Sequence, residues 1–133
     1  MTTELRFADV AEAVRATIAA YALALDDGRT DDIVATFCSD GVCDIPGMGS
    51  HTGHEALRAA YERLKPRRPQ RHVVVNTLIT DWNAQAATAT SDVVFLLKFD
   101  DGWSTQLVGR YHDTFRCEDQ RWRFSKRTAE FVQ

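Results

Sequence analysis

The sequence predicts an α+β fold in which helices come first and a strongly curved antiparallel sheet follows. Apolar residues recur at helical spacing through the first half of the 133-residue chain. Long segments rich in β-branched residues, separated by short polar turns, fill the second half. Because the helices must cover one face of such a sheet, the two halves together define the α+β class. The length is that of one domain, so residues 1–133 are expected to form a single domain.

Three helices are predicted before the sheet. The first begins near Asp9, which resembles a capping-box residue, and ends at Gly28. Thr30 caps a short second helix, and a third runs over about 54–64. The basic, proline-rich segment 65–69 ends the third helix. The apolar side of the second helix is predicted to carry Ile33, Val34 and Phe37.

A short strand at 42–45 and a turn rich in glycine and proline are expected between the second and third helices. The rest of the chain reads as an antiparallel meander of long strands joined by short turns. Its four segments are 71–82, 85–99, 103–117 and 121–132. A curved sheet closed by helices leaves a cone-shaped cavity, and such concavities hold small ligands.

Composition excludes several classes of protein. A net charge of −3 disfavours a nucleic-acid partner, and no apolar run is long enough for a membrane span. The segment MTTELRFADV lacks the apolar region of a secretory leader, and the three cysteines form no disulfide-like framework. We therefore expect a cytoplasmic protein.

His72 and Asp26 attract the most chemical interest. His72 begins an apolar strand, and simple alternation places it on one face with Val74, Asn76 and Leu78. Asp26 lies at the C-terminal end of the first helix, where a carboxylate opposes the helix dipole and needs a compensating partner. The residues alone leave two further interpretations open. His72 can be a buried histidine with a single hydrogen bond, and Asp26 a solvated acid.

Metal and cofactor sites find little support in the sequence. The spacing of Cys38, Cys43, His51 and His54 fits a zinc site only loosely. The glycine patterns that bind nucleotides or dinucleotides do not occur. No metal and no cofactor are therefore expected.

Four segments together resemble the SnoaL-like families of the nuclear transport factor 2-like superfamily. They are IAAYALALDDGRTDDIVATFCSDGVCDI, GMGSHTGHEALRAAY, RHVVVNTLI and GRYHDTF followed by RWRFSKR. They cover nearly the whole chain in the expected order. The resemblance implies a cone-shaped barrel with a pocket between helices and sheet, and a homodimer or homotrimer.

Within that superfamily the chain is most similar to the branch of scytalone dehydratase and hexachlorocyclohexane dehydrochlorinase. Those enzymes pair an aspartate near the end of the first helix with a histidine at the start of the long strand, and Asp26 and His72 stand at these positions. Arg127, directly after F-S-K, and Asn76 match the dehydrochlorinase. Simple alternation places Arg127 on the face opposite Trp122 and Phe124, so a bulge or an edge position is needed if all three are to face the pocket.

The resemblance also has departures that keep either particular activity from carrying over. Tyr21 stands where the dehydrochlorinase has a lysine. Scytalone dehydratase has a serine where this chain has Gly109 and an asparagine where it has Tyr111. Its substrate-binding tyrosine corresponds to Ile45 here.

The resulting hypothesis is a cofactor-independent small-molecule lyase or isomerase. His72 removes a proton from carbon, Asp26 holds its tautomer, and Arg127 or a tyrosine stabilises the developing anion. A small hydrophobic or aromatic substrate is expected to contact Tyr21, Phe37, Ile45, Asn76 and Tyr111. The alternatives are a non-catalytic ligand-binding module, an epoxide hydrolase or a polyketide cyclase.

Overall fold

The computed structural model describes residues 5–132 and shows a six-stranded curved sheet with helices packed on one side. The helices are α1 (Phe7–Asp27), α2 (Thr30–Ala35) and α3 (His54–Glu62). The strands are β1 (Phe37–Ile45), β2 (Gly49–Thr52), β3 (Gln70–Trp82), β4 (Ala86–Phe99), β5 (Gly102–Glu118) and β6 (Arg121–Phe131). The predicted α+β class is confirmed. In the described part of the chain, none of the helices has the length and apolar character that crossing a membrane requires.

The strand order is β2-β1-β6-β5-β4-β3. The four long strands form the predicted antiparallel meander. The sheet is not wholly antiparallel, however, because β1 pairs with β6 in parallel. This pairing brings the last strand of the chain back beside the first one and places β6 near the middle of the sheet.

Helix α1 covers the concave face of the sheet with one apolar stripe. The stripe residues Val10, Val14, Ile18, Tyr21 and Leu25 are all buried. The helix ends as predicted at a glycine in the left-handed conformation, with φ of 69° at Gly28. Its beginning lies at Arg6 rather than at Asp9, whose carboxylate accepts the Arg6 backbone N–H at 3.1 Å from the first turn.

The second helix is shorter than the sequence predicts, and the strand after it is longer. Phe37 does not lie on the apolar side of α2 but begins β1, where it pairs with Phe124 of β6 and is fully buried. Pairing with a distant strand outweighs the local helical spacing here. The segment 49–52, predicted as part of a turn, is strand β2 and pairs with β1.

A bulge in β3 corrects the predicted alternation of that strand. Asn76 has a positive φ of 56°, and the register with β4 shifts between Val75 and Leu78. The side chain of Asn76 is therefore exposed and donates a hydrogen bond to Asp92 at 2.8 Å. Leu78 is 62% exposed, whereas Ile79 packs against the core.

A second bulge, in β6, supplies the irregularity that Arg127 requires. The register with β5 passes from Lys126 to Phe124, so Ser125 is the extra residue. As a result Phe124 and Arg127 both point inward, and both are fully buried. The two bulges add to the curvature of the sheet and shape the concave face on which the cavity lies.

Candidate functional site

A cavity of about 180 Å³ lies between the helices and the concave face of the sheet. Its walls are mostly aliphatic and aromatic, with a few polar groups. They comprise Tyr21, Leu25, Ile45, Met48, Tyr61, Leu64, Gln70, His72, Val93, Phe95, Leu107, Tyr111 and Phe131. Three of the five predicted substrate contacts, Tyr21, Ile45 and Tyr111, are therefore wall residues.

A wider groove of about 630 Å³ runs along the outer side of α1 beside the β5–β6 turn. Its described walls are formed by small residues such as Ala16 and Ala20 and by charged residues such as Arg121 and Arg123. No histidine and no buried acid lies among them. The smaller cavity is therefore the candidate site, because it combines an apolar enclosure with titratable groups.

The predicted contact between Asp26 and His72 is present. Asp26 Oδ1 lies 2.7 Å from His72 Nδ1, and Asp26 Oδ2 accepts the backbone N–H of His72 at 2.8 Å. The side chains of His72 and Asp26 are only 14% and 7% exposed. The carboxylate at the C-terminal end of α1 thus has the compensating donors that its position requires.

This geometry selects one tautomer of the imidazole. A carboxylate can only accept hydrogen bonds, so Nδ1 is the donor to Asp26. In the neutral ring Nε2 then carries the lone pair, and it makes no hydrogen bond within residues 5–132. Since His72 is a wall residue of the cavity, its basic nitrogen is available to a ligand.

Two residues outside the predicted site hold the pair in place. Gln70 Nε2 donates to Asp26 Oδ1 at 3.2 Å, which gives the carboxylate a third donor. Phe95 stacks on the imidazole, with ring centroids 4.4 Å apart and an interplanar angle of 23°. Alternation along β3 contains the signal for Gln70, since it lies two residues before His72 on the same face.

A buried chain of hydrogen bonds crosses one wall of the cavity. The hydroxyl groups of Tyr21 and Tyr61 are 2.6 Å apart, and the Tyr61 hydroxyl lies 3.2 Å from Cys43 Sγ. Burial raises the pKa of Cys43 to about 11 and raises the pKa of each of these tyrosines well above its ordinary value. All three groups are therefore protonated near neutral pH, and Cys43 is not a thiolate nucleophile.

Tyr111 presents the phenol that is not committed to other side chains. Its hydroxyl makes no hydrogen bond within the described residues, although the residue is only 5% exposed. Burial raises the pKa of Tyr111 to about 12, and the positive charge of Arg127 limits that rise. The cavity therefore contains a neutral O–H donor in addition to the basic nitrogen of His72.

Arg127 lies behind the cavity wall rather than on it, which corrects its predicted role as a catalytic contact. Its guanidinium pairs with both carboxylate oxygens of Asp113, at 2.8 and 3.0 Å. The guanidinium carbon also lies 3.6 Å from the ring centroid of Tyr111 and 4.4 Å from those of Tyr21 and Phe124. Burial alone would lower the pKa of Arg127, but Asp113 more than offsets this and the pKa is raised.

Two further predicted contacts are also wrong. Phe37 packs beneath the wall against Tyr21 and Phe124 and has no part in the cavity surface. The bulge in β3 turns Asn76 to the outer face of the sheet. Neither residue can contact a ligand in this cavity.

The other histidines weighed as metal ligands are bonded to backbone carbonyl groups. His51 Nε2 lies 2.8 Å from the Met48 oxygen, and His54 Nε2 lies 2.9 Å from the Phe37 oxygen. Over residues 5–132 the structure has no group of three or more His, Cys, Asp or Glu side chains placed to hold a metal ion.

We expect the tyrosines of the native protein to remain un-ionised at about pH 11. The chain has three tyrosines, and burial raises the pKa of each, to about 12 for Tyr111. The unfolded chain releases these protons near pH 10, so the stability they contribute is complete below about pH 10 and is lost as the pH rises toward 12. Spectrophotometric titration measures the tyrosinate directly, with the urea-unfolded protein as the control. A native tyrosinate signal of one residue or more at about pH 11 would contradict this burial.

Comparison with known proteins identifies the class to which this fold and cavity belong. Residues 7–128 match the family described as the SnoaL-like domain. The chain belongs to the SnoaL-like domain family. A search of curated proteins finds no match.

Several solved structures share the fold. A variant of Rv3472, a protein of unknown function from Mycobacterium tuberculosis, has a TM-score of 0.86 at 22% identity, over 93% of this chain and 72% of that one. A Nostoc punctiforme protein of unknown function with a cystatin-like fold has a TM-score of 0.83 at 23% identity, over 98% and 96% of the two chains. A Novosphingobium aromaticivorans protein provisionally assigned as a scytalone dehydratase has a TM-score of 0.82 at 21% identity, over 93% and 85%. At these identities the likeness shows the fold alone.

Proposed function

We propose that this protein is a small-molecule lyase or isomerase that uses His72 as a general base. The observation that carries the proposal is the 2.7 Å contact of His72 Nδ1 with Asp26, on a histidine whose Nε2 is unpaired within the described residues and which lines an apolar cavity. A base, its orienting carboxylate and a neutral donor are the groups that proton abstraction next to a carbonyl needs.

In the proposed reaction His72 Nε2 takes a proton from a carbon adjacent to a carbonyl group. The electrons of the broken C–H bond delocalise onto the carbonyl oxygen, and the Tyr111 hydroxyl donates a hydrogen bond to that oxygen. Asp26 stabilises the imidazolium that forms. In an isomerisation the imidazolium returns its proton to another carbon. In a dehydration it protonates the departing hydroxyl group, and water leaves as the double bond forms.

Arg127 has an indirect part in this proposal. Its guanidinium carbon lies 3.6 Å from the ring centroid of Tyr111, the residue is not part of the cavity wall, and Asp113 neutralises its charge. The Arg127–Asp113 pair therefore fixes the position of Tyr111, the proposed hydrogen-bond donor, without contacting the substrate. Arg127 is a positioning residue in this scheme.

A non-catalytic ligand-binding module is the second candidate, and one observation favours it. Asp26 accepts three hydrogen bonds from β3, including the backbone N–H of His72. These bonds tie the end of α1 to the sheet whether or not any reaction takes place. The epoxide-hydrolase alternative is weakened, because it needs Asp26, Asn76 and Arg127 around one water, and Asn76 lies on the outer face.

The test is deuterium exchange from D2O into cyclic ketones that carry a hydroxyl group or halogen β to the carbonyl, followed by NMR. We expect wild-type protein to catalyse exchange or elimination, and His72→Gln to lose at least about 10²-fold in rate, because glutamine cannot take a proton near neutral pH. His112→Gln is the matched control, since that histidine is exposed and bonded to Glu130.

The outcome separates the two candidates. Equal exchange rates for wild type and His72→Gln would refute the general base. A fall in melting temperature of several degrees for His72→Gln, with no turnover by wild type, would support the binding module.

We also propose that the chain self-associates through the outer face of the sheet. Val73, Val94 and Val108 form a row across three adjacent strands on that face. Val73 is 40% and Val108 42% exposed, and an apolar face of this kind favours a partner surface over water. Sedimentation at micromolar concentration is expected to show a dimer or trimer, and Val108→Lys is expected to shift it toward monomer. A wild-type monomer would contradict the proposal.

Two further expectations from the sequence, a single domain and a cytoplasmic location, remain proposals. One family model spans 7–128, which supports a single domain. All three cysteines are free, which fits a reducing compartment such as the cytoplasm.

A further inference from the structure

We propose that the cavity selects an uncharged compound with one six-membered ring and one carbonyl oxygen, bound through the hydroxyl of Tyr111. This inference rests on the proposed function and names the substrate class of the same site. It is carried by three features of the cavity, namely its size, the absence of a charged partner for a ligand among its described wall residues, and its hydrogen-bond donors.

The size of the cavity, which is partly open to solvent, limits the buried part of a ligand to about one ring. The cavity volume is about 180 Å³. A protein cavity of about 150 Å³ accommodates a benzene molecule, so this one holds a six-membered ring with one or two substituent atoms. The absence of a side chain at Gly109 lets the ring of Phe131 form this part of the cavity wall. The ring of Phe131 lies 2.8 Å from where a β-carbon at position 109 would be, so Phe131 fills the room that a side chain would take.

The walls offer no permanently charged group as a counter-ion to an anionic ligand. No lysine or arginine is among the described wall residues. Arg127 stands behind Tyr111, fully buried and paired with Asp113. An anionic ligand would therefore lie close to the Asp26 carboxylate, with no lysine or arginine in the wall to compensate it.

A cationic ligand is disfavoured for a related reason. Asp26, which orients His72, already has donors on both carboxylate oxygens, namely Gln70 and the side chain and backbone of His72. Asp26 is itself buried and is not a wall residue, so an ammonium group in the cavity meets no exposed carboxylate. An uncharged ligand needs neither a cation nor an exposed carboxylate in the wall.

The hydrogen-bond donors of the wall identify the polar group of the ligand. The Tyr21 and Tyr61 hydroxyl groups are bonded to each other at 2.6 Å. Tyr111 is protonated and has no hydrogen-bond partner within residues 5–132, so its O–H is available to an acceptor on a ligand. His72 Nε2 is an acceptor and makes no bond to the described residues. A carbonyl oxygen accepts the hydrogen bond of Tyr111, and the C–H beside it is the bond on which the proposed base His72, in the wall of the same cavity, acts.

The test is an NMR titration at pH 8 with matched ligands. The ligands are cyclohexanone, cyclohexanecarboxylate, cyclohexylammonium and 2-decalone, which has two rings. We expect saturable shifts for cyclohexanone and none for the other three over the same concentration range. Tyr111→Phe, which keeps the ring against Arg127, is expected to weaken cyclohexanone binding about 10-fold.

Several results would overturn the inference. It fails if either charged ligand or 2-decalone binds as well as cyclohexanone, if cyclohexanone does not bind, or if Tyr111→Phe leaves its affinity unchanged. Failure of the proposed function is a different result. If the binding pattern holds while wild type catalyses no deuterium exchange, the specificity stands and the protein is a binding module.

Discussion

Replacement of Asp26 by asparagine is expected to lower kcat by about 10⁴-fold while the fold persists. The carboxylate accepts a hydrogen bond from His72 Nδ1–H at 2.7 Å and so leaves Nε2 unprotonated, as the proposed role of general base requires. An asparagine that turns its NH2 group toward Nδ1 favours the opposite tautomer, in which Nε2 carries the proton and cannot accept another. The measurement is single-turnover kinetics on the substrate identified by deuterium exchange.

Asp27 provides the matched control for this variant. It is the next residue, its side chain is 56% exposed, and it pairs only with Arg29 among the described residues. Asp27→Asn removes the same charge from the same end of α1, so it tests the helix-end electrostatics without the histidine. We expect kcat to be unchanged. A similar loss in both variants, or no loss in Asp26→Asn, would contradict the assigned role of Asp26.

Replacement of Arg127 by methionine is expected to destabilise the protein by about 3–5 kcal/mol. The arginine is completely buried, and its loss leaves the Asp113 carboxylate, equally buried, without a counter-ion. Burial already raises the pKa of Asp113 with the arginine present. In the variant the folded state therefore holds the Asp113 proton to higher pH than the unfolded state does, and the deficit in stability is expected to shrink as the pH falls. Urea unfolding at neutral and acidic pH measures both effects.

Arg110 is the corresponding control on the solvent side of the sheet. It forms a cross-strand pair with Asp92 at 2.8 Å, but its side chain is 53% exposed. Water and salt screen such a pair, so Arg110→Met is expected to cost no more than about 1 kcal/mol. Equal losses in the two variants would show that the burial of Arg127 does not determine its contribution.

The parts of the structure that depend on local pattern could be predicted from the sequence. Helix α1 and its end at Gly28 follow from helical spacing and from the need for a left-handed residue at the cap. The long strands follow from β-branched composition and turn residues. Local spacing misplaces Phe37, because its partner Phe124 lies almost ninety residues away and only the folded sheet brings the two together.

The candidate site also has residues that the sequence identifies and residues whose position depends on the folded sheet. The sequence indicates Asp26 because a carboxylate at a helix C-terminus needs a donor, and the family resemblance implies that His72 is that donor. The roles of Arg127 and Asn76 depend on bulges, which reverse the inward direction of every later residue on a strand. A one-residue irregularity leaves no periodic trace in the sequence, so Arg127 could be placed inward but not behind Tyr111.

The bulge at Asn76 also predicts how the strand tolerates mutation. Before it the even-numbered positions Gln70, His72 and Val74 face the interior, and directly after it the odd-numbered positions Thr77 and Ile79 do. In saturation mutagenesis of β3, charged substitutions should therefore destabilise the protein at even-numbered positions before residue 76 and at odd-numbered positions directly after it. Deleting Asn76 would not shorten the strand harmlessly, because every residue on one side of it would exchange core for solvent. Selection should accordingly remove insertions and deletions in β3 more strongly than substitutions at the exposed positions of this strand.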